Sequence, residues 1–293
     1  MIDLSAASFV EPQVRMSAMA LVVVFCAVAQ KVAPGLAGPT SPPLTRWRVN
    51  LGIAAISLLV SAASASSIGA LATLSVNAAG GGWIALPSSG LGLVVGCAVY
   101  LLAMDLGEYL FHRAQHAVPA LWAMHSLHHS DPALGVTTTL RHFWLEPILK
   151  TMTIWLVVGL VFKVSPTIVG IYAVVASYNF WLHSNVRAGF GRAAWLLNSP
   201  QYHRRHHSAL PEHFSGNYAA LLPIFDVICG SYHPPHKGEF PATGLEGDEQ
   251  PGSLVQALIW PLRGQRIFPD HTGSGDAPVT GRSPRAAHGG GSS

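Results

Sequence analysis

Residues 91–116 read LGLVVGCAVYLLAMDLGEYLFHRAQH. From Leu91 to Met104 the run is apolar, and no proline separates it from the polar segment that follows. A helix that carries on past the membrane puts Asp105, Glu108, His112 and His116 in a polar region at its end. His112 and His116 are four residues apart, so they stand one above the other, about 6 Å apart along the axis, and can reach a shared metal. A membrane-crossing helix that ends in metal-ligand spacing decides the fold class, and the rest of the chain is read outward from it.

On the N-terminal side, Leu51–Val76 is apolar or small throughout and long enough to cross a bilayer. Its Ala, Ser and Gly residues suit close helix–helix approach. The earlier run from Met16 to Gln30, bounded by Arg15 and Lys31, is short for a span. On the C-terminal side, Ile148–Phe162 and Thr167–Leu182 are apolar and separated only by Lys163-Val164-Ser165-Pro166. They read as a tight helical hairpin, spanning or re-entrant. The expected fold is all-α: an integral membrane bundle of about four to five helices with a cytosolic, histidine-rich di-metal cap. Residues 1–90 are expected to hold N-terminal membrane helices, 91–236 the catalytic domain with its hairpin, and 237–293 a mostly flexible tail. Within that tail, Leu254–Arg263 (LVQALIWPLR) is amphipathic and is expected on the membrane surface or against the cap.

Charge bias orients these spans. Lys31, Arg46 and Arg48 lie on one side, whereas residues 77–90 carry no charge at all. Residues 105–146 then return to the basic side, and the hairpin delivers His183 there too.

Composition agrees with this picture. Of 293 residues 50% are hydrophobic and 11% charged, with mean hydropathy +0.37. A soluble domain carries about a quarter charged residues, so an ordinary cytosolic enzyme is disfavoured. A net charge of +3 with dispersed basic residues does not suit nucleic-acid binding. Cys26, Cys97 and Cys229 lie far apart and form no metal or disulfide spacing. Fifteen His outnumber the fourteen Asp and Glu together, so the chain's stock of metal ligands is imidazole.

Three clusters carry that imidazole: His112-Arg-Ala-Gln-His116, His125-Ser-Leu-His128-His129 and His203-Arg-Arg-His206-His207. In a helical HxxHH the adjacent pair differ by about 100° around the axis. One ion cannot easily collect all three rings, but two neighbouring ions can, so the doubled pattern points to a dinuclear centre. Imidazole suits Zn, Cu, Fe and Ni alike. A zinc protease would place a Glu inside HExxH, and no cluster holds one. The HRRHH run also suits a phosphate, but it repeats the spacing of the uncharged HSLHH. His142, His213, His233, His236, His271 and His288 stand outside the clusters and read as surface or capping residues. Asp105 and Glu108 are either border residues or partners that orient His112 and His116.

The three boxes resemble the fatty acid hydroxylase / sterol desaturase superfamily, and bacterial sterol desaturase family proteins are the nearest group. Trp181-Leu182-His183-Ser184-Asn185, Asn217-Tyr218 and Phe225-Asp226 through Gly230-Ser231-Tyr232 extend the likeness over residues 91–233. The resemblance implies an O2-dependent, non-haem di-iron membrane enzyme that hydroxylates or desaturates a lipid C–H bond. Its metal ligands would be His112, His116, His125, His128, His129, His183, His203, His206 and His207, with no further catalytic side chain needed. Asn185, Asn217 and Asp226 join Asp105 and Glu108 as candidates to support them. Electrons would come from a separate NAD(P)H-dependent chain through a ferredoxin- or cytochrome b5-like protein. The chain itself has no haem-attachment, iron–sulfur or dinucleotide motif. The site would face the cytoplasm from a bacterial inner membrane. Two departures from the family pattern stand out: Arg141-His142-Phe143-Trp144-Leu145-Glu146 replaces an Arg-x-His-Pro-Leu-Glu stretch, and Arg187 occupies the place of an additional His. A zinc-dependent membrane hydrolase and a metal-binding or transport protein are the rival readings; a transporter places ligands within spans, whereas these boxes flank them.

Overall fold

The structure, a computed structural model, describes residues 12–35, 44–210, 213, 215–245 and 249–263. It is mostly helical. Helix α1 runs Pro12–Val32, α2 Leu44–Ala78 and α3 Gly90–Ala117. The apolar run read at 16–30 is thus part of a longer helix of 21 residues. The expected span at 51–76 falls within α2, although the side chains of 64–74 lie outside the described residues. Among the described residues, two helices are long and apolar enough to cross a membrane, Gln13–Val32 and Gly90–Ala117.

At Ala117 the chain turns a corner for a local reason. Val118 precedes Pro119, and a residue before proline is pushed out of the helical region; here it is extended, with φ −103° and ψ 119°. Pro119 then opens α4 (Pro119–His129), where its missing N–H costs nothing. The corner folds α4 back so that the last turns of α3 and α4, each carrying a histidine box, face each other.

The expected hairpin is present. Its first arm is continuous helix: α5 (Glu146–Lys150), a π turn (Thr151–Trp155) and α6 (Leu156–Val161). The second arm, α7 (Pro166–Ala176) and α8 (Asn179–Leu182), starts with Ser165 capping the Ile168 N–H and Pro166 in the first turn. Strand β1 (Ile84–Ala85) pairs in parallel with β2 (Phe162–Lys163). This ties the uncharged 79–90 connection to the hairpin turn, at the end of the fold away from the histidines. Gly82 is required there, because a Cβ would lie 2.3 Å from the Phe162–Lys163 backbone. Helices α9 (Pro200–His206), α10 (Ile224–Ile228) and α11 (Leu254–Leu258) complete the order.

Tyr100, Met104, Phe111, Ile154, Val158 and Ile168 form one core between α3 and the hairpin. A second core joins Val49 and Ile53 of α2 to Trp122 and Leu127 of α4, and to Leu245, Ala257 and Trp260. This second core sets the Leu254–Arg263 segment against α4, which is one of the two positions expected for it. Leu245, Ala257 and Trp260 bury apolar surface there, and Trp260 Nε1 donates to Ser126 Oγ at 3.1 Å. Residues 264–293, including His271 and His288, lie outside the described residues.

A buried polar network clamps the base of α2 to the loop after α4. Asp131 accepts from Thr138 Oγ1 at 2.7 Å and faces Arg46 Nε at 3.5 Å. Arg141 donates to the Leu127 and Ser130 carbonyls, and to Asn50 Oδ1 at 3.2 Å. Removing one member of a buried charge network strands the others, at a cost of about 3–5 kcal/mol. Asp131→Ala is therefore expected to lower thermal stability in detergent by that amount, whereas Asp131→Asn, which keeps the Thr138 bond, should lose less. Equal stability of Asp131→Ala and wild type would contradict the clamp.

Candidate metal centre

The nine box and hairpin histidines converge from four elements and sort into two groups. In one, ligand atoms of His112, His116, His125, His129 and His206 lie within 4.8 Å of one another. In the other, those of His128, His183, His203 and His207 do the same. The helical repeat explains the division. Residues four apart share a face, which pairs 112 with 116, 125 with 129, and 203 with 207. The odd member of each HxxHH crosses over: His128 joins the second group and His206 the first. Adjacent residues of one helix thus face different groups. The two groups share a wall, with the rings of His129 and His207 stacked 4.3 Å apart.

For four of the rings, His112, His125, His183 and His206, the tautomer follows from what the outer nitrogen touches. His112 Nδ1 lies 2.7 Å from the Tyr218 carbonyl, His206 Nδ1 2.9 Å from that of Gly216, and His183 Nδ1 2.7 Å from that of Asn179. A carbonyl only accepts, so each Nδ1 carries the proton and each Nε2 presents a lone pair. His125 Nδ1 likewise faces Glu146 Oε2 at 3.2 Å. Nε2 of His112, His125, His129 and His206 is buried with no hydrogen-bond partner among the described residues. In the second group, His183 Nε2 lies 3.1 Å from His128 Nε2 and 3.0 Å from His203 Nε2, which is 3.1 Å from His207 Nε2. Imidazole nitrogens bound at about 2.0–2.1 Å to one ion stand about this far apart when neighbouring. Buried lone pairs without donors, converging at such spacing, fit a metal ion in each group.

Glu146 is the functional residue that sequence reading missed. It is buried, and its Oε2 accepts from Gln115 Nε2 at 2.7 Å while facing both His125 and His142 Nδ1 at 3.2 Å. Its Oε1 accepts from the Phe143 N–H at 3.0 Å. The signal available was a single carboxylate at the mouth of an apolar hairpin. His142, read as an ordinary surface residue, instead stacks on His128 with centroids 4.2 Å apart.

The other candidates are placed as follows. Asp105 accepts from the Leu221 and Leu222 N–H groups, both at 2.9 Å. Asp226 accepts from the Tyr218 and Ala219 N–H groups and from the Tyr202 and Ser231 hydroxyls. Neither touches a candidate ligand; together they hold the loop whose Tyr218 carbonyl orients His112. Asn217 sits at φ 62°, a left-handed conformation Asn tolerates, and brackets the His233 backbone through both side-chain atoms. Asn185 accepts from Arg204 at 3.4 Å. Glu108 pairs with Lys150 and orients no histidine. Arg187 donates to the Gly35 carbonyl and lies over Phe240, outside both groups.

Burial is the main reason the rings of His128, His129, His203 and His207 are held well below the ordinary imidazole range, with neighbouring rings adding to it. For His206 the bond to Gly216 offsets part of the effect and leaves it at about 3.

Residues 97–231 match the fatty acid hydroxylase family. An alkylglycerol monooxygenase from Xenopus tropicalis is 34% identical over 134 residues, 45% of this chain and 29% of that protein. The human alkylglycerol monooxygenase is 35% identical over 136 residues, with the same shares. An ornithine lipid hydroxylase from Rhizobium tropici is 30% identical over 156 residues, 53% of this chain and 47% of its own length. The chain thus spans less than half the length of these relatives. No solved structure matches it.

The neutral, buried rings set the sign of the pH dependence. Unfolded histidines bind protons below about pH 6.5, while the folded rings resist until far lower pH, so stability is full above about 6.5 and is lost as pH falls toward 3. Each such ring contributes about 1.4 kcal/mol per pH unit of that window. The Tm of detergent-solubilised protein should therefore drop from pH 7.5 to pH 5.5. A Tm unchanged or higher at pH 5.5 would contradict the neutral cluster.

Proposed function

We propose that this chain, which matches the fatty acid hydroxylase family over residues 97–231, is an integral-membrane lipid hydroxylase. Its nine clustered histidines would hold two iron ions, one in each group. The observation that carries this reading is the crossover of the two HxxHH boxes, which builds two adjacent lone-pair cages from one set of helices. The named relatives are two alkylglycerol monooxygenases and one ornithine lipid hydroxylase, which favours hydroxylation over desaturation. The reaction balances as C–H, O2, two electrons and two protons giving C–OH and water.

Bound iron would supply the reductive activation of O2 that attack on an unactivated C–H bond needs. The protein's own contributions are positional. The Tyr218, Gly216 and Asn179 carbonyls and the Glu146 carboxylate keep Nδ1 protonated and Nε2 directed inward. Such partners fix ring orientation and raise ligand basicity. Trp122 and Tyr218 lie about 5 Å from the His116 ring and wall off the first group from water. Two electrons would arrive from a separate NAD(P)H-dependent reductase chain through a ferredoxin- or cytochrome b5-like carrier.

A membrane setting accounts for exposed apolar surface. The apolar stretch of α1 is only 6% buried, and α3 leaves Leu91 and Val94 bare. In water such flanks are unfavourable, and lipid removes the penalty. On this reading α1, α2, α3 and the two hairpin arms cross or enter the bilayer. The histidines lie at the basic, cytoplasmic face, in a bacterial inner membrane. The lipid substrate reaches them from the bilayer.

His128→Ala and His206→Ala test the assignment group by group. Each is expected to lower the iron content of purified protein from two toward one per chain and to abolish lipid oxidation. Each should leave binding in the other group detectable by metal analysis. Unchanged iron and unchanged lipid oxidation in both variants would sink the proposal.

A further inference from the structure

One ion pair close to the histidines takes no part in holding them. Glu108 accepts from Lys150 Nζ at 2.6 Å. Glu108 lies one turn before His112 on α3, and Lys150 one turn after Glu146 on α5. Both steps lead away from the histidines toward the apolar ends of their helices, so the pair sits about 6 Å from the His112–Glu146 level on its membrane side. Apolar groups pack beside the pair, and Asp105 and Tyr172 lie within electrostatic reach of Glu108. The Phe111 ring centroid is 5.9 Å from Lys150 Nζ, and Ile154 packs so tightly on Gly107 that a Cβ there would lie 2.7 Å from it.

Three features distinguish this pair from a simple strut. It is not sealed, since the Glu108 and Lys150 side chains keep 20% and 28% of their surface open. His112, on the same face of α3, is also the one candidate ligand of the nine that is not fully buried. The pair has spare capacity, because their mutual bond is the only side-chain hydrogen bond either makes among the described residues. That leaves two ammonium protons and one carboxylate oxygen available. Finally, the helix opens into a π turn at 151–155 directly after Lys150, and such turns concentrate at functional sites. Ionisable side chains at this depth are unfavourable unless paired or turned to a polar pathway.

We propose that Glu108 and Lys150 form the docking site for the polar group of the lipid substrate. The complement of a neighbouring cation and anion is a group without net charge that both accepts and donates, such as a glyceryl hydroxyl or an amide. This rests on the lipid-oxidation reading and extends it: the carbon oxidised lies only a few bonds from that polar group, not deep in the chain.

The test is binding of labelled monopalmitoylglycerol to the purified holoprotein in detergent, with palmitate and hexadecane as competitors. Monopalmitoylglycerol is expected to bind at least tenfold more tightly than either competitor. It should also slow acylation of Lys150, read by peptide mass spectrometry. The double variant Glu108→Leu/Lys150→Met replaces the pair by apolar groups of similar volume, a change that usually preserves stability. It should keep its iron and lose at least tenfold in monopalmitoylglycerol affinity, with hexadecane unaffected. Wild-type affinity in the double variant, absence of selectivity in wild type, or unprotected Lys150 would each overturn the proposal. Should the variant not fold, Lys150 protection in wild type decides. These readouts follow lipid, not iron, so failure of the di-iron reading would show separately, as wild-type protein without iron.

Discussion

Nine clustered imidazoles, eight of them buried and His112 partly so, can share one interior only if their lone pairs point inward and their protons outward. That constraint organises the fold. For three of the rings the structure supplies an Nδ1 acceptor from a segment distant in sequence: Tyr218 for His112, Gly216 for His206, Glu146 for His125. Those acceptors must in turn be held. Asp226 ties down the Tyr218 and Ala219 N–H groups and Asp105 those of Leu221 and Leu222, so two buried carboxylates serve the site without touching a histidine. The helical corner at Val118-Pro119 completes the geometry by turning two boxes toward each other.

The same logic explains why the chain has few acids. A carboxylate inside either group would bring charge where the arrangement uses neutral nitrogen. Glu146, which among the described buried carboxylates is the one bonded to a ring of the nine, sits behind His125 and spends both oxygens on outer-face donors. The division of histidines between the groups uses helix periodicity alone, with i,i+4 pairs on one face and the odd residue on the next.

This also defines what could be read from sequence. The three boxes, the i,i+4 pairs and the division of the rings into two groups were legible because a helix converts spacing into direction. The hairpin that returns His183 was legible because two apolar runs flank a four-residue turn. Glu146 was not, since its partners His125 and Gln115 lie 21 and 31 residues away. The Gly216 and Tyr218 carbonyls are backbone groups and leave no side-chain signature. Glu108, at i−4 from His112, reads on paper equally as a border residue or a supporting carboxylate; a partner 42 residues away, Lys150, decides where it points. The amphipathic Leu254–Arg263 stretch was legible as a packing segment amid Gly- and Pro-rich neighbours, but the choice between the membrane surface and the cap was not; Ala257 and Trp260 complete a core with α4.

The claim on which the account depends is that the two histidine groups are two metal sites. An anomalous-difference map collected at the iron absorption edge from crystals of the iron-loaded protein tests it most directly. The account predicts two peaks per chain, one enclosed by His112, His116, His125, His129 and His206 and one by His128, His183, His203 and His207. A single peak, or peaks lying outside both groups, would contradict it.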